Sequence, residues 1–190
     1  MNKNLLLLFM VICYVLPIYY VLNNYNSNNS VSNIICDDND KYYILFFMFL
    51  MGIGTVLYEF ERNDIYSQIF IYLLLISIYG LIYINENYTI HYIFAFIVFI
   101  TILFFMIRHY YLTSCNIILS LSLFFEIFLF LYIIINICYS ENIFYGEIIY
   151  ILNFAFYYLY LHFIDNNLLH ICIDKSIDNI PDLNVSNNLE

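Results

Sequence analysis

Charge is the scarcest property of this 190-residue sequence. Asp, Glu, Lys and Arg together make up 11% of it, against 64% apolar residues. A soluble domain carries about 25% charged residues, so the composition excludes a soluble enzyme, a coiled coil and a disordered chain. Only five residues are basic and they form no patch. This excludes a nucleic-acid-binding protein, because a phosphate backbone is held by clustered Lys and Arg side chains.

The motifs of many enzymes and cofactor-binding proteins are also missing. The five Cys residues show neither CxxC nor another metal-ligand spacing, and there is no HExxH, GxSxG or phosphate-binding loop. Only four Gly and two Pro are present, and no paired Gly/Pro breaks indicate the discontinuous helices of transporters. We therefore expect no metal site, no cofactor and no catalytic site of these classes.

What the sequence has instead is a series of long, continuous apolar runs. A helix needs about 20 apolar residues to cross the roughly 30 Å of bilayer hydrocarbon. A β-barrel would need shorter segments in which apolar and polar residues alternate. The sequence therefore predicts an all-α polytopic membrane protein with a bundle of six transmembrane helices and a polar tail, 165–190, that is disordered. The predicted helices are 5–22, 42–58, 65–84, 90–107, 112–139 and 143–164.

The basic residues predict the orientation of this bundle. Lys3, Arg62, Arg108 and Lys175 fall on one side of the predicted membrane, and only Lys41 falls on the other. Because Lys and Arg are enriched in cytoplasmic loops, both the N-terminus and the C-terminus are predicted to be cytosolic.

Two features near the N-terminus bear on processing. The first apolar run also resembles a signal peptide, but its length and the lack of a small-residue cleavage site favour a retained helix. The loop after it contains the sequon Asn28-Asn29-Ser30 on the predicted outer side. Asn28 is therefore the predicted glycosylation site.

One carboxyl group lies in the middle of a predicted helix. Glu126 shares a helical stripe with Cys115 and Ser122, and this stripe is expected to face the other helices. One interpretation is a proton or polar-substrate site formed by Glu126 and Ser122, because charged residues inside membranes are costly. The other is a protonated Glu that hydrogen bonds to a neighbouring helix.

A second pair of titratable residues lies near the predicted outer surface. His91 begins the fourth helix and Glu147 begins the sixth, so the two lie at similar depth and could pair across the bundle. Such a pair could hold a metal or act in acid–base chemistry. The alternative is a solvated rim with one satisfied interfacial pair. One His is too few for a metal site, and His162 lies near the opposite end.

Small and amide side chains predict contacts between the helices. Gly52 and Gly54 mark a close-packing point in the second helix, since small residues let helices approach. Asn116, Asn136 and Asn153 are expected to hydrogen bond to neighbouring helices.

Three segments carry a resemblance to a known family. They are Thr89-Ile90-His91-Tyr92-Ile93-Phe94-Ala95-Phe96-Ile97-Val98-Phe99, the register from Gly52 and Gly54 to Tyr58 and Arg62, and Tyr160-Leu161-His162-Phe163-Ile164-Asp165. Together with the six-helix layout, they resemble the Frag1/DRAM/Sfk1 family over about residues 5–165. The first loop departs from the family pattern, since Cys36-Asp37-Asp38-Asn39-Asp40 lacks Pro and Gly. Another set of six-helix proteins with a His-led fourth helix is similarly close.

The resemblance implies a non-enzymatic endomembrane protein in membrane lipid organisation, lipid-anchor maturation or autophagy. Its partners would be membrane lipids and other membrane proteins, in the endomembrane system or the plasma membrane. Two alternatives remain: a small transporter or channel that uses Glu126, and a membrane hydrolase that uses His91 and Glu147.

Overall fold

The computed structural model describes residues 3–24, 30–35, 41–62, 64–113, 116–136 and 143–178, and of 165–178 only the backbone. These ranges contain seven helices and no strand. Six of the helices are long and apolar enough to cross a membrane. By these criteria the chain is an all-α, multi-pass membrane protein, as predicted. The helices are α1 (Lys3–Asn24), α2 (Val31–Ile34), α3 (Lys41–Phe60), α4 (Ile65–Tyr83), α5 (Thr89–Leu112), α6 (Ile117–Asn136) and α7 (Ile143–Asp178).

The boundary between α5 and α6 differs from the prediction. The predicted helix 90–107 corresponds to α5, which continues to Leu112. The predicted helix 112–139 corresponds to α6, which begins only at Ile117. The hydroxyl and backbone N–H of Thr113 both bond to the carbonyl of His109 and close the end of α5. Oδ1 of Asn116 then accepts a hydrogen bond of 2.9 Å from the backbone N–H of Ile118. Asn116 is therefore the N-cap of α6. Asn136 donates to the carbonyl of Tyr132 in its own helix at 2.8 Å. Among the described residues, neither side chain forms the expected bond to a neighbouring helix.

The C-terminal boundary also differs from the prediction. The last helix was expected to end at 164, with a disordered tail from 165, but α7 continues to Asp178. Its 36 residues would measure about 54 Å along the axis, more than the bilayer hydrocarbon requires. Helical backbone therefore extends beyond the apolar span, and residues 179–190 lie outside the described part of the chain.

The helices pack as three closely contacting pairs, α1 with α3, α4 with α5, and α6 with α7. We call the two ends of the bundle the Lys3 end and the Glu147 end. The short helix α2 lies at the Glu147 end, where Ile34 is buried with residues of α1, α3, α4 and α7. The small residues of α3 allow the close approach to α1, since a Cβ at Gly54 would lie 2.8 Å from Cγ of Met10. The predicted close-packing point is thus confirmed at Gly54.

Helices α5 and α7 run in the same direction and are joined by two tyrosine hydroxyls. Tyr150 donates to the carbonyl of Phe99 at 2.7 Å, and Tyr157 donates to the carbonyl of Met106 at 2.8 Å. The donors are separated by one heptad, and so are the acceptors. Both tyrosines are fully buried. This spacing is that of parallel helices packed with a repeat of seven residues.

Candidate functional site

Glu126 is buried between α6 and α7. Its Oε2 accepts a hydrogen bond of 2.5 Å from the side-chain amide of Asn153, while its Oε1 has no partner among the described residues. Asn153 also donates to the carbonyl of Ser122 and accepts the Ser122 hydroxyl, both at 2.9 Å. The predicted contact of Asn153 with a neighbouring helix is confirmed. Ser122 and Glu126 lie together as the stripe predicted, whereas Cys115 lies outside the described residues.

His91 and Glu147 do not pair in the described structure. Nδ1 of His91 lies 2.8 Å from the carbonyl of Ile84, at the end of α4, and its Nε2 has no partner among the described residues. Glu147 instead accepts the backbone N–H of Val31 and lies 3.4 Å from the hydroxyl of Ser32. The predicted His–Glu pair is therefore not formed, because the loop helix α2 occupies the carboxylate of Glu147. No cluster of three His, Cys, Asp or Glu side chains with metal-binding geometry occurs in the described ranges.

A buried polar network at the Lys3 end was not predicted. Glu59 of α3 is fully buried, and its Oε2 lies 3.0 Å from Nε of Arg62. The hydroxyl of Tyr158, from α7, donates to the other carboxylate oxygen. Arg62 also lies over the ring of Tyr58, and Tyr58 hydrogen bonds to Nδ1 of His162. We call Tyr58, Glu59, Arg62, Tyr158 and His162 the Glu59 network.

A second ion pair continues this network toward α5. Both oxygens of Asp64 accept hydrogen bonds from Arg108, at 2.8 and 3.2 Å. Asp64 also accepts a hydrogen bond from the hydroxyl of Ser67. Nε2 of His109 lies 2.7 Å from the Ser67 hydroxyl oxygen. Because the single hydroxyl proton of Ser67 is already donated to Asp64, His109 is the donor in this second bond. The hydrogen bonds from Arg108 hold the pKa of Asp64, which lies between α3 and α4, well below its ordinary value.

Sequence reasoning treated 59–64 as a polar boundary between helices and gave His162 no partner. A local signal was present: Glu59 and Arg62 are three residues apart, and Tyr158 and His162 are four apart, so each pair shares a helix face. The contact between the two pairs joins residues about a hundred positions apart, and no local pattern predicts it.

An apolar cavity lies between these polar ends, inside the bundle. It has a volume of about 430 Å³ and is lined by α1, α2, α3, α4, α5 and α7. Its walls are almost wholly apolar, with Met10 and Val21 on α1, Met48 and Ile44 on α3, and Phe99 on α5. A dry cavity of about 150 Å³ already admits benzene, and ligand sites in proteins measure about 300–1,000 Å³. The cavity is therefore large enough for a hydrocarbon ligand.

The cavity reaches the lipid-facing surface between α1 and α7. Three of its lining residues are also exposed on the outside of the bundle: Val15 by 49%, Leu152 by 43% and Phe156 by 51%. In the described ranges α1 packs more closely against α3 than against α7. Contacts such as the 2.6 Å hydrogen bond from the Tyr14 hydroxyl to the carbonyl of Ile151 hold α1 beside α7. An apolar molecule in the bilayer therefore has a lateral route into the cavity.

Comparison of the chain with protein-family models, with curated proteins and with solved structures gave no match.

Proposed function

We propose that this multi-pass membrane protein binds the hydrocarbon part of a membrane lipid in its central cavity and acts through that contact, without catalysis. The observation that supports the proposal is the apolar cavity of about 430 Å³ with a lateral opening between α1 and α7. Apolar walls give hydrocarbon the contacts that it has in the bilayer, and a shaped cavity adds selectivity for one kind of chain.

This proposal agrees with a role in membrane lipid organisation, which the Frag1/DRAM/Sfk1 resemblance implies. The same resemblance is the basis for proposing a role in lipid-anchor maturation or autophagy. It is also the basis for proposing an endomembrane location and lipid or protein partners. So does the orientation with both termini in the cytosol, which would make the Lys3 end cytosolic. Asn28 lies outside the described residues, and glycosylation there would place the loop after α1 in the lumen.

Photolabelling in nanodiscs tests lipid binding. The probe is hexadecanol with a diazirine in the chain and a terminal alkyne, and the adducts are mapped by mass spectrometry. We expect adducts on α1 and α7 that unlabelled hexadecanol competes away. The variants Ala155→Phe and Ala95→Phe, at two cavity-lining positions, should lose this saturable labelling.

Leu121→Phe is the control, because Leu121 is exposed on α6 and does not line the cavity. It should label like the wild type. The proposal fails if the two cavity-filling variants retain wild-type labelling, or if unlabelled hexadecanol removes no adducts from the cavity-lining residues.

A proton-coupled transporter that uses Glu126 is a second candidate, favoured by one observation. Glu126 is fully buried, and one of its carboxyl oxygens has no partner among the described residues, which is costly unless the group has a use. Proteoliposomes with a pH-sensitive dye in the lumen test this candidate. A proton flux that Glu126→Gln abolishes would support a transporter. No flux above that of empty liposomes would exclude it. A hydrolase that uses His91 and Glu147 is not favoured, since the two residues have separate partners and do not form a pair.

A further inference from the structure

Two polar side chains lie together at one end of the cavity. Glu147 and Ser32 line it at the Glu147 end, and Glu147 is the one charged residue among its described lining residues. Other polar side chains in the lining are already engaged, since Tyr14 donates to Ile151 and Thr55 donates to Met51. Among the described lining residues, further hydrogen bonds to a ligand are therefore available chiefly at Glu147 and at Ser32, whose hydroxyl also lies 3.0 Å from that of Ser30.

The carboxyl group of Glu147 accepts further hydrogen bonds. A carboxylate offers about four lone-pair positions. In the described structure, three of these positions are used: the carboxyl group accepts from the backbone N–H groups of Val31 and Ser32, and the Ser32 hydroxyl makes a long contact of 3.4 Å. Glu147 is almost completely buried. A ligand group beside it is held if it donates a hydrogen bond.

The same position disfavours an anionic ligand. No Lys, Arg or His is among the described residues that line the cavity. A phosphate or carboxylate beside Glu147 would place two hydrogen-bond acceptors next to each other. When both groups are ionised, it would also place two negative charges together without a counter-charge. Burial makes such a pairing costly.

The length of the cavity suits a single chain that begins at this end. Its lining on α7 extends from Glu147 to Leu159, which corresponds to about 18 Å of helix. Half of the bilayer hydrocarbon measures about 15 Å. A chain anchored at Glu147 would therefore extend through one leaflet toward Tyr158.

We propose that the occupant of the cavity is a single-chain lipid with an uncharged hydroxyl or a cationic amine at its polar end, and that this end lies beside Glu147 and Ser32. This inference rests on the proposed function. It adds a selection for hydrogen-bond donors and against anions, with Glu147 as the residue that makes it.

Three probes with the same photoreactive chain test the selection: hexadecanol, hexadecylamine and hexadecanoate. In wild-type protein we expect the alcohol and the amine to compete for cavity labelling at concentrations about tenfold lower than the acid, as one hydrogen bond to the carboxyl group would give. Glu147→Gln keeps an acceptor for Val31 and removes the acidic group. In this variant, competition by the alcohol should be unchanged and competition by the amine should be weaker. The concentration of acid needed for competition should move toward that of the alcohol.

Glu86→Gln is the matched control, because Glu86 belongs to the loop at the same end and does not line the cavity. Its ratios between the three probes should equal those of the wild type. Ser32→Ala is a smaller change at the same end. It should weaken competition by the alcohol and leave competition by the acid as weak as in the wild type.

The outcomes separate this inference from the proposed function. Equal labelling by all three probes in wild-type protein, with loss of all three in Ala155→Phe, would overturn the selection by Glu147 and leave lipid binding intact. Unchanged labelling of Ala155→Phe by all three would overturn lipid binding itself. If Glu147→Gln does not fold, the ratios in wild type and in Ser32→Ala decide the matter.

Discussion

The hydroxyl of Tyr158 on α7 donates a hydrogen bond to the fully buried carboxylate of Glu59 on α3, 99 positions away in the chain. The same carboxylate is paired with Arg62, 3.0 Å away. One acidic side chain thus joins α3, α7 and the connection that leads to α4. This contact lies at the end of the bundle opposite Glu147.

Removal of the Glu59 charge should destabilise the protein strongly. Glu59→Gln leaves Arg62 buried without its counter-ion, and breaking a buried ion pair in this way costs about 3–5 kcal/mol. Thermal unfolding in detergent measures the effect. Glu61→Gln is the control, since Glu61 pairs with Lys3 at the surface, where both side chains are 43% exposed, and such pairs contribute about 0–1 kcal/mol. Equal losses in the two variants would contradict the buried pair.

The ion pair of Asp64 and Arg108 predicts a pH dependence. The pKa of Asp64 is lowered in the folded state, so the pair stabilises the protein at pH values above the unfolded pKa of about 3.9. This stabilisation is lost as the pH falls through the lower folded pKa. Asp64→Asn should therefore be less stable than wild type at pH 7, and the difference should shrink below about pH 4. Unfolding temperatures from pH 7 to pH 3 test this, and a constant difference would contradict it.

The contact of α1 with α3 should be sensitive to volume at Gly54. A Cβ there would approach Cγ of Met10 to 2.8 Å, so Gly54→Val should force the helices apart at a cost of about 1–3 kcal/mol. Ile53→Val, at the neighbouring exposed position, should change stability little. A Gly54→Val protein as stable as Ile53→Val would show that this close approach is not required.

The two members of the Asn153–Glu126 pair should respond differently to substitution. Asn153→Ala leaves the Ser122 hydroxyl and the Glu126 carboxyl without their partner, at about 1–3 kcal/mol for each buried group. Glu126→Gln keeps an oxygen that accepts from Asn153 and should cost less. Unfolding measurements on both variants give the order. A larger loss for Glu126→Gln would indicate that the carboxyl group has a further partner.

The helices could be predicted because bilayer thickness acts on each one separately. The runs at 5–22, 42–58 and 65–84 correspond to α1, α3 and α4 with ends that agree within two residues. The break between α5 and α6 was misplaced because a single capping side chain, that of Asn116, decides it within an apolar context. Hydropathy does not register a change of that size.

The site was less predictable than the helices. Glu126 and Asn153 were identified because a polar residue inside a span must find a partner in the bundle. The partner of Glu147 is the backbone N–H of Val31 in the four-residue helix α2. It was missed because so short a helix gives no hydropathy signal. The cavity depends on how side chains of six helices fail to fill a volume, and that follows only from their packing.

The two tyrosine bonds between α5 and α7 limit how this protein can move. A displacement of α7 along its axis by one helical turn, about 5.4 Å, would break the bonds of Tyr150 and Tyr157 together and leave two buried hydroxyl groups without their acceptors. Piston-like sliding of this pair is thereby opposed, and α5 and α7 form the fixed frame of the bundle. If the cavity holds a hydrocarbon chain as proposed, this frame favours entry and exit by sideways displacement of α1, whose close backbone packing is with α3.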